Sequence, residues 1–338
     1  MTWFCLIYLS LLLTAEGAEP EFVGHNLPSG ASISLYRTVD GKPESSAIFV
    51  RTKRDGRSLK VTPFYPLSPG EHYQARVTVD GEVIGSLDYR HPVQNTEPPV
   101  VTQILPDTDK PIPANLLKFY IEFDQPVREG SDLFDHIHLF DQSGNQVHSP
   151  WRRQELWSDD GKRLTLWIHP GRIKQGVNLR EQLGPVLRPG ESYTLVLDTN
   201  IRSPEGTPLA ESVRHPFRTG PEIRNRIDWS KWTLKPPQKS DQPLIITSDR
   251  SLDPYLTRRH LRLFRDKDPV EVTIDWDKTQ TEFTVLPKAD WVVGEYQIEI
   301  DEFLEDLAGN TVLRAFDTDL LQPESAIASA RLSFTFSP

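Results

Sequence analysis

Two histidines one residue apart, His136 and His138, with Asp135 beside them, are the chain's best start on a metal site. On a strand both imidazoles point to one face, and Ile137 and Leu139 take the other. Zinc needs three or four protein ligands, and no third stands at an obvious spacing. The pair is expected to be two solvated strand residues, and no metal is expected. Asp301-Glu302 and Glu305-Asp306 suggest an acid/base pair or a calcium loop. A helix-flanked calcium loop repeats Asp at alternate positions before a Gly, and that run is missing. A glycosidase needs two carboxylates at a set separation in a cleft, which sequence does not place. Asp159-Asp160-Gly161 reads as a hairpin turn. There is no Gly-x-Ser-x-Gly elbow, no phosphate-binding Gly-x-x-x-x-Gly-Lys loop and no dinucleotide Gly-x-Gly-x-x-Gly. No catalytic residue and no cofactor are expected.

Binding is the remaining chemistry. Trp151, Arg152, Trp157, Trp167, Arg172 and Lys174 form the candidate partner-binding set. Tryptophan and arginine are enriched where binding energy concentrates, so an exposed group of them suits a protein partner or a glycan. In the strand around Trp167, residues Leu164, Leu166 and Ile168 share one face. Trp167 then lies either on the outer face or beneath the segment 171–188. The competing reading is that these tryptophans pack that segment onto its own domain.

The elements that must position these residues are strands. The chain holds 29 prolines in 338 residues, and proline suits strand edges and turns rather than helix interiors. A degenerate pattern recurs three times at roughly 110-residue spacing, which means three modules of one kind. Each copy begins with an alternating strand, crosses through a proline-rich step, and enters a Tyr-containing strand by Gly-Glu. The three crossings are Leu67-Ser68-Pro69-Gly70-Glu71-His72-Tyr73, Leu187-Arg188-Pro189-Gly190-Glu191-Ser192-Tyr193 and Trp291-Val292-Val293-Gly294-Glu295-Tyr296. Hairpin signals at Asp40-Gly41, Asp55-Gly56, Asp80-Gly81 and Asp160-Gly161 agree. In the strand 117–123 the odd positions are expected to face inward. Short alternating strands with frequent turns predict an all-β fold of three tandem immunoglobulin-like β-sandwich domains. The expected divisions are 18–95, 96–220 with an inserted loop at 171–188, and 221–338 with a returning C-terminal strand.

A formal net charge of −10 leaves no electrostatic footprint for nucleic acid and is repelled by anionic lipid. Residues 3–13 are apolar, and Ala15 and Gly17 sit at the −3 and −1 positions of a cleavage site before Ala18. That is the pattern of a signal peptide over 1–17, although no Lys or Arg precedes the apolar run; a buried N-terminal strand is the other reading. No other stretch approaches the ~20 apolar residues of a membrane span. The single Cys, Cys5, lies inside this run, so no disulfide and no thiolate chemistry is expected downstream.

At Pro113-Ala114-Asn115, Phe123-Asp124-Gln125-Pro126, Leu187 to Tyr193, and Asp306-Leu307-Ala308-Gly309-Asn310, the chain resembles the bacterial Ig-like domain of the S-layer-protein type. The resemblance covers about 96–317, and the first module matches only in its second half. Two departures stand out: the segment 171–188, and Glu205-Gly206-Thr207 where Gly-Asn closes the motif. The resemblance implies a sandwich fold and an envelope or surface role, and it carries over no catalytic residue. The expected function is an exported, non-enzymatic spacer or interaction scaffold, periplasmic or extracellular, whose partner is another envelope or extracellular protein or a glycan. The alternatives are a carbohydrate-binding protein using exposed Trp, and a hydrolase with its site at a domain junction.

Overall fold

The computed structural model describes residues 12–16, 20–39, 41–93, 97–107, 109–130, 132–317 and 330–337. Their strands form six sheets, which pair face to face. In the first sandwich Leu12–Glu16, Glu21–His25, Ser58–Pro63 and Val50–Asp55 lie in that order in one sheet. Lys42–Pro43, Ser32–Val39, His72–Val79 and Glu82–Arg90 form the other. Alternation in these strands sends Phe22, Val61, Leu35, Tyr73 and Val77 into one shared core.

The second sandwich sets Ile112–Pro113, Val213–Gly220, Ser192–Leu197 and Ile137–Asp141 against Arg163–Trp167, Lys118–Phe123 and Val101–Leu105. Phe119 links its two sheets, with ring centroids 5.3 Å from Phe217 and 6.3 Å from Trp151. In the third, Thr233–Lys235, Leu244–Thr247, Glu282–Pro287 and Val272–Trp276 face Asp268–Val270, Leu261–Arg265, Gly294–Ile300 and Ala330–Phe336. The last strand pairs along Gly294–Ile300 and brings Phe334 and Phe336 into that core; the detour before it, 318–329, lies outside the described residues. The chain is thus all-β, three tandem immunoglobulin-like sandwiches.

The recurring Tyr has one job in all three. Its hydroxyl accepts the backbone N–H of a residue four or five positions upstream: Ser68 to Tyr73 at 2.8 Å, Arg188 to Tyr193 at 3.0 Å, Val292 to Tyr296 at 3.1 Å. Each phenol ties the crossing to the strand it enters, the geometry of a tyrosine corner. Gly70 and Gly190 make the turns at φ +78° and +80°, a left-handed conformation that costs glycine nothing.

The segment expected as a signal peptide is described in part. Residues 12–16, placed in a signal peptide, form an edge strand antiparallel to Glu21–His25. Leu13 and Ala15 pack on the first core, because alternating apolar residues at this spacing fit a half-buried strand. The rest of the expected signal, 1–11 and 17, lies outside the described residues. No helix among the described residues is long and apolar enough to cross a membrane.

The chain divides into two compact units. The first takes in residues 1–99 together with 125–129 and 200–210. Within it, Glu71 receives Arg37 at 3.2 Å and Arg128 at 3.1 Å. Gly206, at φ +89°, sits where a Cβ would be 2.6 Å from the Pro69 carbonyl oxygen. That contact gives Glu205-Gly206-Thr207 a reason to depart from the Gly-Asn closing turn. The second unit holds most of the second sandwich and all of the third.

Candidate functional site

The second unit concentrates its polar chemistry where its two sandwiches meet. It starts at Lys118–Phe123, whose even positions alternation assigns to water. Lys118 and Tyr120 are instead only 7% exposed. The reason is the short helix Pro254–His260, whose leading residue Asp253 lies against them. The Asp253 Oδ1 caps that helix, accepting the N–H groups of Tyr255 at 3.1 Å and Leu256 at 3.0 Å. Its Oδ2 then accepts the Tyr120 hydroxyl at 2.7 Å and the Lys118 ammonium at 2.8 Å. Glu305 reaches the same ammonium at 2.9 Å. Burial works against the charged amine, but Asp253 and Glu305 outweigh it and hold Lys118 above its ordinary value. Burial, reinforced by Asp253, pushes the Tyr120 phenol up. Trp167 is the cross-strand neighbour of Lys118; its ring lies 5.8 Å from the ammonium.

Aromatic packing surrounds this cluster. Tyr120 and Tyr255 meet at 4.6 Å between centroids, the Arg163 guanidinium lies 3.9 Å over Tyr255, and the Tyr255 hydroxyl bonds Glu122. The backbone that passes from one sandwich to the next is pinned too. The Asn115 side chain donates to the Ile223 carbonyl at 2.8 Å and accepts its N–H at 2.9 Å. Asn310 donates to the same carbonyl at 3.0 Å. Both are motif asparagines, one from each sandwich. Asp306 is fully buried inside the same turn, bonded by Ala308, Asn310 and Arg250.

The insertion folds into helices Pro170–Ile173 and Asn178–Leu183. Arg172 runs through its centre, donating to the carbonyls of Gly184, Ser149, Leu183 and Pro185 at 3.0 to 3.4 Å, and to that of His148. Burial pushes its guanidinium down. Arg180 donates to the Ile173 carbonyl at 2.6 Å and to Glu222 at 2.8 Å. Arg224 binds the other Glu222 oxygen at 2.7 Å, and also Asp317. Lys174 lies 4.9 Å over Phe316. The insertion is therefore clamped to the third sandwich.

These positions redistribute the residues expected to bind a partner. Trp151 and Arg172 are corrections. Trp151 is buried, its indole N–H on the Ile137 carbonyl at 2.8 Å, because it fills the core beside Phe119. Arg172 is buried because it holds the insertion's carbonyls. Trp157 is half-buried, donating to Glu155 at 3.0 Å. Trp167 and Lys174 are half-buried in the contacts above. Arg152 is exposed, its guanidinium 6.0 Å from the Trp167 ring. His136 and His138 both face Asp198, at 3.2 and 3.5 Å, rather than open water. Among the described residues no group of three or more His, Cys, Asp or Glu is placed to hold a metal ion. Sequence reasoning missed Lys118, Tyr120 and Asp253, and it also missed an exposed aromatic group in the first unit. There Phe49, Phe64 and Tyr65 face outward, with Arg51 4.5 Å over Phe64.

No protein-family model and no curated protein matches the chain. Among solved structures, it is similar to a fragment of native alpha-2-macroglobulin from Escherichia coli, at 13% identity and a TM-score of 0.25 over 61% of this chain. It is similar to the N-terminal part of the bacterial S-layer protein SbsC, at 12% identity and a TM-score of 0.27 over 60%. It is also similar to a three-Ig fragment of titin, at 11% identity and a TM-score of 0.17 over 83%. The chain spans 66%, 41% and 87% of those three chains.

Proposed function

We propose that this chain is an exported, non-enzymatic scaffold of the bacterial envelope or extracellular space, whose second and third domains hold a fixed mutual geometry. The observation that carries this reading is the pinned Ile223 crossing beside the buried Lys118 cluster. A scaffold needs domains that do not swivel, and this crossing spends its side chains on holding still. The resemblance to S-layer-type Ig-like domains supports the envelope setting. A hydrolase at this junction would need free carboxylates, and Asp253 and Glu305 are both committed to Lys118. The exposed Phe49, Phe64 and Tyr65 offer a surface for an envelope or extracellular protein partner, and aromatic residues are enriched in such contacts.

The test is a distance measurement in the full chain. With Cys5 replaced by Ser, spin labels at Ser143→Cys and Asp290→Cys report across the crossing from exposed positions. One narrow distance distribution is expected; a broad one overturns the fixed geometry. Export is checked separately: the protein recovered outside the cytoplasm is expected to begin at Ala18.

A further inference from the structure

The Lys118 amine lies against one carboxylate that is held like a substrate and a second that is placed like a base. We propose that Lys118 and Asp253 become joined by an amide bond between Nζ and Cγ, formed by the chain itself with Glu305 as the base. This goes beyond the scaffold reading and does not rest on it.

The reaction is a condensation. The ammonium passes one proton to Asp253 Oδ2, which it already touches at 2.8 Å. That leaves a neutral amine beside a neutral carboxylic acid. The amine lone pair attacks Cγ and an N–C bond forms. Charge growing on Oδ1 falls where the N–H groups of Tyr255 and Leu256 already donate, at 3.1 and 3.0 Å; donors preorganised at the developing oxyanion stabilise that step. Glu305, 2.9 Å from Nζ, takes a second proton from nitrogen and delivers it to the departing Oδ2. The Tyr120 hydroxyl, 2.7 Å from that oxygen, supports its departure. The C–Oδ2 bond breaks and one water leaves. One cation and one anion become a neutral amide, so atoms and charge balance. No oxidant or reductant takes part, and Glu305 and Tyr120 end as they began.

Two physical terms favour the step. Charges held out of water carry a desolvation cost that a neutral amide does not, and the Lys118 and Asp253 side chains are 8% and 1% exposed. The fold also holds amine and acid together, which replaces an encounter in solution by contact. Glu305 is the most open member at 25% exposed, so water leaves on its side. The amide would tie together two sandwiches that have no cysteine to join them, since the only Cys is Cys5.

The experiment is intact-mass spectrometry of the purified full chain, with its N-terminus fixed by peptide mapping. The expected mass is one water below the sequence mass, and a digest is expected to yield a branched peptide joining Lys118 to Asp253. Glu305→Gln and Lys118→Arg are expected to restore the full mass and the two separate peptides. A wild-type mass equal to the sequence mass, or a lost water mapped away from this pair, overturns the cross-link. The wild-type digest decides this even where a variant does not fold. Loss of water persisting in Glu305→Gln overturns the base role of Glu305.

Discussion

Single side chains hold the crossings of this protein, and the phenols are the simplest case. Tyr193→Phe removes the acceptor for the Arg188 N–H and the donor to Glu191, the latter at 2.8 Å. The expected cost is about 2 kcal/mol, two such bonds at the usual net worth of about 1 kcal/mol each, read by urea denaturation. Burial, with Glu191 adding to it, pushes the Tyr193 phenol up to about 12 from 10.0. A group raised on folding contributes stability that is whole below its unfolded value and disappears as pH climbs through the folded one. Its share is therefore lost between pH 10 and about 12, and tyrosinate absorbance followed with denaturation checks the window. The recurring Tyr was legible because it follows Pro-Gly-Glu twice and Gly-Glu once; its partner was not, since the turn alone decides which N–H arrives. Lys118 was illegible for a stronger reason. Strand alternation assigns it to water, and the carboxylates that bury it stand far along the chain. Lys118→Met leaves the buried Asp253 with neither a cation nor an amide partner, a loss of at least about 3–5 kcal/mol, measured by equilibrium unfolding.

At the level of elements, the segment 171–188 could be recognised as an addition between two strands, but not its fastening. Its basic residues read as a partner surface; the fold turns Arg172 and Arg180 inward, because the last carbonyls of short helices need donors. Glu222 is the outer fastening. Burial alone would raise its carboxyl, but Arg180 and Arg224 outweigh burial and hold it below 4.5. A depressed carboxylate contributes stability that is whole above its unfolded value and lost as pH falls through the lower folded value. Acid is therefore expected to loosen the insertion, and Glu222→Gln to loosen it at neutral pH. Both effects should appear as faster amide exchange over 170–187 with little change in the sheet strands. The turn at Gly206 behaves differently. A methyl group there meets backbone at 2.6 Å and an unfavourable φ together, so Gly206→Ala is expected to cost more than about 1 kcal/mol, visible as a lower Tm.

For the whole molecule, the number of sandwiches was readable from the repeat, because each copy spells out its own crossing. How they group was not, because the contacts that unite the second and third come from isolated side chains rather than from a pattern. Calorimetry of the full chain is expected to resolve two transitions rather than three, with the second and third sandwiches melting together; three separated peaks would contradict the grouping. The Ile223 peptide, held by an asparagine from each neighbour, has a mechanical meaning of its own. A load applied across this unit reaches a joint with no slack, so stretching it must begin by breaking bonds held in parallel, at this residue and at the side-chain ties beside it, not by paying out a linker.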